Sequence, residues 1–320
     1  MITVNDNTIE ITASYFFGHG QGITAYQKDL LSDMFGTIYN NQKIIVNAFD
    51  GENIERSGFL DYLLWACQEF NISFESVTII TPNATLTSKF NISIVPLTIF
   101  YSAKTYLGGS FQRNIDAKFV GVSIGKFNPN RFRLIYELDS AFPNDNFLIF
   151  HPSPTLVKQF YNNINGIYTK ELSWLESKKF DVDLIYSDTL NTNAVNWQDS
   201  YSSYHNIWDK FDIEIIAETD TNTNYWFTEK TGRCLATGKP FLLLAGTGSL
   251  KTLQDFGFKT FNEVLDESYD NEKSSIHRIN KIILSLMKLY QSSDRTNKIN
   301  RMYEIAQHNI TLYNKKYVHT

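Results

Sequence analysis

Along the first hundred residues the apolar and polar positions change period several times, and each change marks an element. Ile9 to Phe17 is apolar enough to predict a strand, which runs into the glycine-rich turn Gly18-His19-Gly20-Gln21-Gly22. Leu30, Leu31, Met34, Phe35 and Ile38 then recur at helical spacing. Lys43 to Phe49 reads as a second strand ending at the acidic turn Asp50-Gly51-Glu52, and Leu60, Leu63, Leu64, Cys67 and Phe70 form the stripe of a second helix. Ser76 to Thr81 is a third strand, stopped by Pro82-Asn83. The order β-α-β-α-β predicts a parallel sheet covered by helices. The stretch 84–116 shows no clear period.

A second block begins near Lys118. Phe119 to Ile124 and Phe147 to His151 read as strands, with Arg131 to Leu138 as a helix between them and Pro152 and Pro154 closing the block. From 154 to 210 the chain is rich in Asn, Ser and Tyr, without a sustained period. The pattern returns with a strand over Asp212 to Ala217, a helix from Thr228 to Gly238 and a strongly apolar strand from Phe241 to Ala245. Ser249 to Phe256 is a helix with Gly257 at its C′ position. Helices over Ser274 to Tyr290 and Asp294 to Tyr313 finish the chain. The expected fold is α/β, with two Rossmann-like domains facing across a cleft and helices at the C-terminus. The first domain is set at 1–115 and the second at 116–290, with 291–320 a terminal helix able to pack back on the first. Ligands in such sheets bind beyond the carboxyl ends of the strands, in loops that feed helix N-termini.

Composition narrows the possible functions. The chain has 320 residues, 42% hydrophobic and 20% charged, enough for two globular domains with their own cores. Its formal charge of −5 and pI near 5.7 remove any global basic field for nucleic acid, so only a local basic cleft could bind it. The two cysteines, Cys67 and Cys234, have no metal-type spacing and are expected as buried thiols in a reducing cytosol. The start of the chain does not resemble a signal peptide, and no apolar run nears the roughly 20 residues of a membrane span. A cytoplasmic protein is expected, in the host cytoplasm if the chain is viral.

The segment from Asp212 to Asp270 carries the candidate chemistry. A strand ends at Glu218-Thr219, a polar turn follows, and Trp226-Phe227-Thr228-Glu229-Lys230-Thr231 opens a helix. Thr228 suits the N-cap, and the amides behind it with the positive end of the helix dipole make an anion site. Lys230 opposes that dipole, an arrangement that becomes favourable if a diphosphate lies over the helix start. Glu229 suits the dipole and can accept from hydroxyls of a ribose or sugar. Gly246-x-Gly248-Ser249, after the apolar strand, can cradle phosphate with backbone amides but lacks the ending of a P-loop.

These residues resemble the donor-binding signature of the α-1,3-fucosyltransferase family and of related viral and bacterial glycosyltransferase-like proteins. The matching pieces are Glu218, Trp226-Phe227, Thr228-Glu229-Lys230, Ala236, Gly238-Lys239-Pro240 and Phe241 to Leu244. The stretch Gly246 to Asp270 looks like a second block of such proteins. Upstream, Val122-Ser123, Asn130-Arg131 and Glu137-Leu138 resemble the opening of the same donor domain. Thr219 stands where the family has Asn, and Lys239 where it has an aliphatic residue. The resemblance implies a GT-B fold, in which the two domains face each other and no catalytic metal or other cofactor is used. It further implies a nucleotide-diphosphate sugar as co-substrate and a glycan or other hydroxyl acceptor, with inverting transfer. On this reading Arg131, Lys230 and the helix start at Thr228 hold the diphosphate, and Glu218 holds sugar or ribose hydroxyls.

An inverting transfer needs a base, expected from the first domain: His19, or else Asp50 or Glu52. Gly18-x-Gly20-x-Gly22 has the wrong third spacing for a dinucleotide fingerprint and reads as a tight turn near the cleft. Asp181-Val182-Asp183 fits the letters of a metal motif but sits in the unpatterned region, and no metal is expected. The acidic stretch Asp266-Glu267-Ser268-Tyr269-Asp270 reads either as a solvated turn or as a group near the donor ribose. Arg278, Lys281, Lys288, Arg295, Lys298 and Arg301 read as a solvated helical face. Two other functions fit the same pattern: a glycosyltransferase acting on a hydroxylated DNA base, and a nucleotide- or glycan-binding protein without turnover.

Overall fold

The computed structural model describes residues 2–5, 8–12, 25–36, 43–48, 58–81, 86, 88–94, 113–114, 116–124, 128–150, 170, 173–174, 209–218, 221 and 227–317. The chain divides into two compact units, Met1–Ser102 and Ala103–Thr320. The sequence reading placed this division at 115/116. Both units are α/β, each built on a sheet whose strands are mainly or wholly parallel. Among the described residues no helix is long and apolar enough to cross a membrane.

In the first unit the strands are β1 (Ile2–Asn5), β2 (Thr8–Thr12), β3 (Lys43–Asn47), β4 (Val77–Thr81) and β5 (Asn91–Ile94), with helices α1 (Ala25–Gly36) and α2 (Phe59–Glu69). The sheet order follows the chain order, β1 to β5; β1 is antiparallel to β2 and the other pairs are parallel. Right-handed crossovers that step in one direction put their helices on one face. Accordingly α1 and α2 pack together: the Tyr62 hydroxyl donates to the Lys28 carbonyl at 2.6 Å, and the Phe35 and Phe70 rings stack at 6.4 Å. The strands expected at 43–49 and 76–81 are present as β3 and β4; burial alternates along both, with Ile44, Val46, Val77 and Ile79 in the core. Two strands lie outside the expected set. The first, β1, comes from Ile2 and Val4 on either side of Thr3, too short to register as a run. The second, β5, lies in the segment without a clear period.

The second unit contains β6 (Lys118–Ile124), α3 (Pro129–Ala141), β7 (Asn146–Phe150), β8 (Phe211–Ala217), α4 (Glu229–Thr237), β9 (Phe241–Leu244), α5 (Ser249–Asp255), α6 (Ser275–Tyr290) and α7 (Arg295–Tyr317). A 3-10 turn over Ser268–Asn271 separates α5 from α6. Its four strands are parallel, in the order β7-β6-β8-β9. The chain therefore steps one way from β6 to β7 and the opposite way from β8 to β9, which sends α3 and α4 to opposite faces. Helix α6 packs against α3, and α7 packs against α4. The terminal helix thus has its partner inside the second unit. Every residue of β8 and β9 is buried, as expected for strands covered on both faces. Gly121 in β6 is required by close approach, because a Cβ there would lie 2.4 Å from the Phe211 ring. Cys67 and Cys234 are both buried free thiols, and burial pushes the Cys67 thiol up to about 12.

Candidate functional site

The reversal of strand order falls between β6 and β8, which are neighbours in the sheet. In open α/β sheets the crevice outside the carboxyl ends at such a point is where ligands bind. Two helix starts flank it. At α3, Asn128 is the N-cap: its Oδ1 accepts from the Asn130 amide at 2.9 Å and the Arg131 amide at 3.4 Å, and Pro129 fills the first helical position. Arg131, only 4% exposed, donates from Nε to the Ala217 carbonyl at 3.1 Å, at the last residue of β8. An arginine 86 positions earlier in the chain is thereby tethered to the strand end that leads into Glu218.

Glu218 is fully buried, and its carboxylate is committed to the start of α4. Oε1 accepts from the Thr228 amide at 2.9 Å and the Thr231 hydroxyl at 2.6 Å, while Oε2 accepts from the Thr228 hydroxyl at 2.5 Å. Thr228 is the N-cap, as expected; its hydroxyl oxygen accepts from the Lys230 amide at 3.4 Å and from Lys230 Nζ at 3.1 Å. The expected role of Glu218 toward sugar or ribose hydroxyls changes accordingly, because three internal donors already hold its two oxygens. It braces the helix start that carries Lys230. Glu229 is the first helical residue of α4, and its side chain lies outside the described residues.

A third helix start joins these two. The Thr221 hydroxyl accepts from Asn130 Nδ2 at 3.1 Å and lies 3.2 Å from the hydroxyl of Ser275, the first residue of α6. The Thr221 carbonyl accepts from Arg278 Nη1 at 3.0 Å. Arg278 is 1% exposed, so the solvated face expected for the basic residues of the last helices does not include it. Helical spacing explains the error: Arg278, Ile279, Ile282 and Leu286 share the buried side of α6. Neither Thr221 nor Arg278 is among the site residues expected from the sequence. The available signal was a cation four residues after the Ser274 cap, where it opposes the helix dipole.

The turn at Gly246 to Ser249 differs from the expected phosphate cradle. Gly248, at a φ of 79°, is the N-cap of α5, and its amide donates to the Asp270 carbonyl at 2.8 Å. The amides of Leu250 and Lys251 donate to the Asp270 carboxylate at 3.0 and 3.3 Å. An internal carboxylate therefore occupies the place where a phosphate was expected, and Gly246 and Gly248 serve the turn. Asp270 and Tyr269 are buried while Asp266 and Ser268 are exposed, so the solvated-turn reading holds only for the first part of that acidic stretch. Burial raises the pKa of Asp270 despite the amide donors, and raises that of Glu267 to about 7.

His19, Asp50, Glu52, Asp181 and Asp183 lie outside the described residues. Among the described residues no group of three or more His, Cys, Asp or Glu is disposed to hold a metal ion. No protein-family model matches this sequence, and no curated protein matches it.

Proposed function

We propose that this chain is a nucleotide-sugar-dependent glycosyltransferase whose donor diphosphate binds where the strand order reverses in the second unit. One observation carries the reading. The starts of α3, α4 and α6 converge on Glu218 and Thr221 at the exit of β8, and Arg131, Lys230 and Arg278 stand among them. Three positive dipole ends and three cations gathered at one strand edge favour the binding of an anion there. The matching of Thr228-Glu229-Lys230 and Arg131 to the fucosyltransferase-type donor signature supports a nucleoside diphosphate as that anion.

Chemically, cleavage of the sugar–phosphate bond builds negative charge on the leaving diphosphate. Fixed cations and amides that meet it lower the barrier, and they need not reorganise during the reaction. Arg131 and Lys230 are assigned this role, with Glu218 setting the position of Lys230 through Thr228. The inverting transfer implied by the resemblance assigns the acceptor proton to His19, Asp50 or Glu52.

The test is a thermal-shift screen against GDP, UDP, ADP, CMP and dTDP, with Lys230→Ala run in parallel. A rise in the midpoint with one nucleoside diphosphate, lost in the variant, is the expected outcome. No rise with any of the five at millimolar concentration overturns the proposal.

A further inference from the structure

A single side chain ties the exit of β8 to the exit of β9, and no described carboxylate pairs with its charge. Arg278 Nη1 donates to the carbonyls of Thr221 and Ala245, and Nη2 donates to the Thr247 hydroxyl at 2.9 Å and the Glu272 carbonyl at 2.6 Å. All four acceptors are neutral. Nε is buried and has no acceptor among the described residues. The acidic groups that act on the guanidinium are Asp270 and Glu272, and both are engaged elsewhere: Asp270 with the amides of α5, Glu272 with Lys281.

A buried guanidinium without a paired carboxylate is an expensive way to join loops, since neutral side chains can bridge carbonyls at lower desolvation cost. Its position in the first turns of α6 adds an unfavourable dipole term. Both costs fall if an anion sits at the same strand edge. Arg131, Lys230 and the N-termini of α3, α4 and α6 already converge there.

We propose that Arg278 is a positioning residue of the diphosphate site. It fixes the exits of β8 and β9 through Thr221, Ala245 and Thr247, and adds to the bound anion's surroundings a positive charge that Asp270 and Glu272 offset without pairing with it. The inference rests on the reading of this edge as a diphosphate site. It adds that the loop after β9 takes part through Arg278, although its own amides are used by Asp270.

The experiment compares the full-length wild type with Arg278→Gln, Arg278→Lys, Thr247→Val and a control, Leu286→Ala, which opens a cavity lower on the same helix. Two quantities are read: affinity for inorganic pyrophosphate by calorimetry, and amide hydrogen exchange over 217–231 and 244–250 without ligand. Arg278→Gln is expected to weaken pyrophosphate binding by about tenfold or more, the loss typical of removing a charged hydrogen-bonding partner. Arg278→Lys should recover part of that affinity through its charge while both segments still exchange faster. Thr247→Val, which removes one acceptor, should give a smaller change in the same direction and serves if Arg278→Gln does not fold. Leu286→Ala should lower the melting temperature while affinity stays within about twofold, as its site is separate from the ligand. Unchanged affinity in Arg278→Gln, or equal losses in Arg278→Gln and Leu286→Ala, overturns the inference. A wild type that does not bind pyrophosphate sinks the diphosphate reading instead. The exchange data then judge Arg278 alone, and unchanged exchange in its variants refutes its hold on the loops.

Discussion

At the scale of single residues, Glu218 shows how a candidate ligand can prove to be a brace. Motif matching put a carboxylate at the strand end, and the structure uses all of it on Thr228 and Thr231. Glu218→Ala leaves a buried amide and two buried hydroxyls without their acceptor. It should cost about 2–4 kcal/mol in urea unfolding, since unsatisfied buried donors carry most of their desolvation penalty. Thr231→Val, which removes one of the three donors, should cost about 1 kcal/mol. If Glu218→Ala unfolds at the wild-type midpoint, the brace is not holding the helix start. Arg278 and Asp270 follow the same logic. Both carry a charge usual at the surface, and both are buried by neighbours that are distant in sequence.

At the scale of elements, the sequence was most legible where period and punctuation agreed. The helix over Glu229–Thr237 has its cap at Thr228 and its stop at Gly238, both read from residue type alone. The strands Val77–Thr81 and Phe241–Leu244 likewise fall where their apolar runs place them. Legibility failed for Ile2–Asn5 and Asn91–Ile94, strands of four residues, too short for an alternating pattern to stand out. It failed also at the reversal point, because strand order is a property of the sheet and not of any one strand. Gly238 offers a test at this scale. Its φ is 74°, and a Cβ there would lie 2.5 Å from Ile310 Cδ1 of α7. Gly238→Ala should destabilise by about 1–2 kcal/mol through the left-handed backbone alone, with more from the clash. Adding Ile310→Val removes the clashing methyl, so the double variant should be more stable than the sum of the singles predicts. Strict additivity in chemical denaturation would mean that α7 does not press on the end of α4.

At the scale of the whole molecule, two charges withdrawn from water, Lys239 buried and Glu267 half-buried, give the stability curve a recognisable shape. Glu267 accepts from the Phe261 amide at 2.7 Å, and burial raises its pKa from 4.5 to about 7. The folded state therefore holds this proton more tightly than the unfolded state does. Its contribution is full below pH 4.5 and is lost as the pH rises through 7. Lys239 works in the opposite sense. Its ammonium donates to the Phe211 carbonyl beside Glu214 and Asp212, yet burial lowers its pKa from 10.5 to about 8. The unfolded state now binds the proton more tightly, so this residue's contribution to stability grows as the pH rises from about 8 toward 10.5. The buried thiols Cys67 and Cys234, with raised pKa values, oppose that gain above about pH 9. Differences between variants separate these effects. Glu267→Gln keeps an oxygen for the Phe261 amide and should match the wild type near pH 4.5, then exceed its stability increasingly up to pH 7. Lys239→Met should be most advantageous below pH 8 and should lose that advantage as the solution becomes alkaline. Unfolding midpoints measured from pH 4.5 to 10 on the three proteins decide the matter. If both difference curves are flat, the fold does not withdraw these two charges from water as described. If only one slopes, the fault lies with the other residue alone.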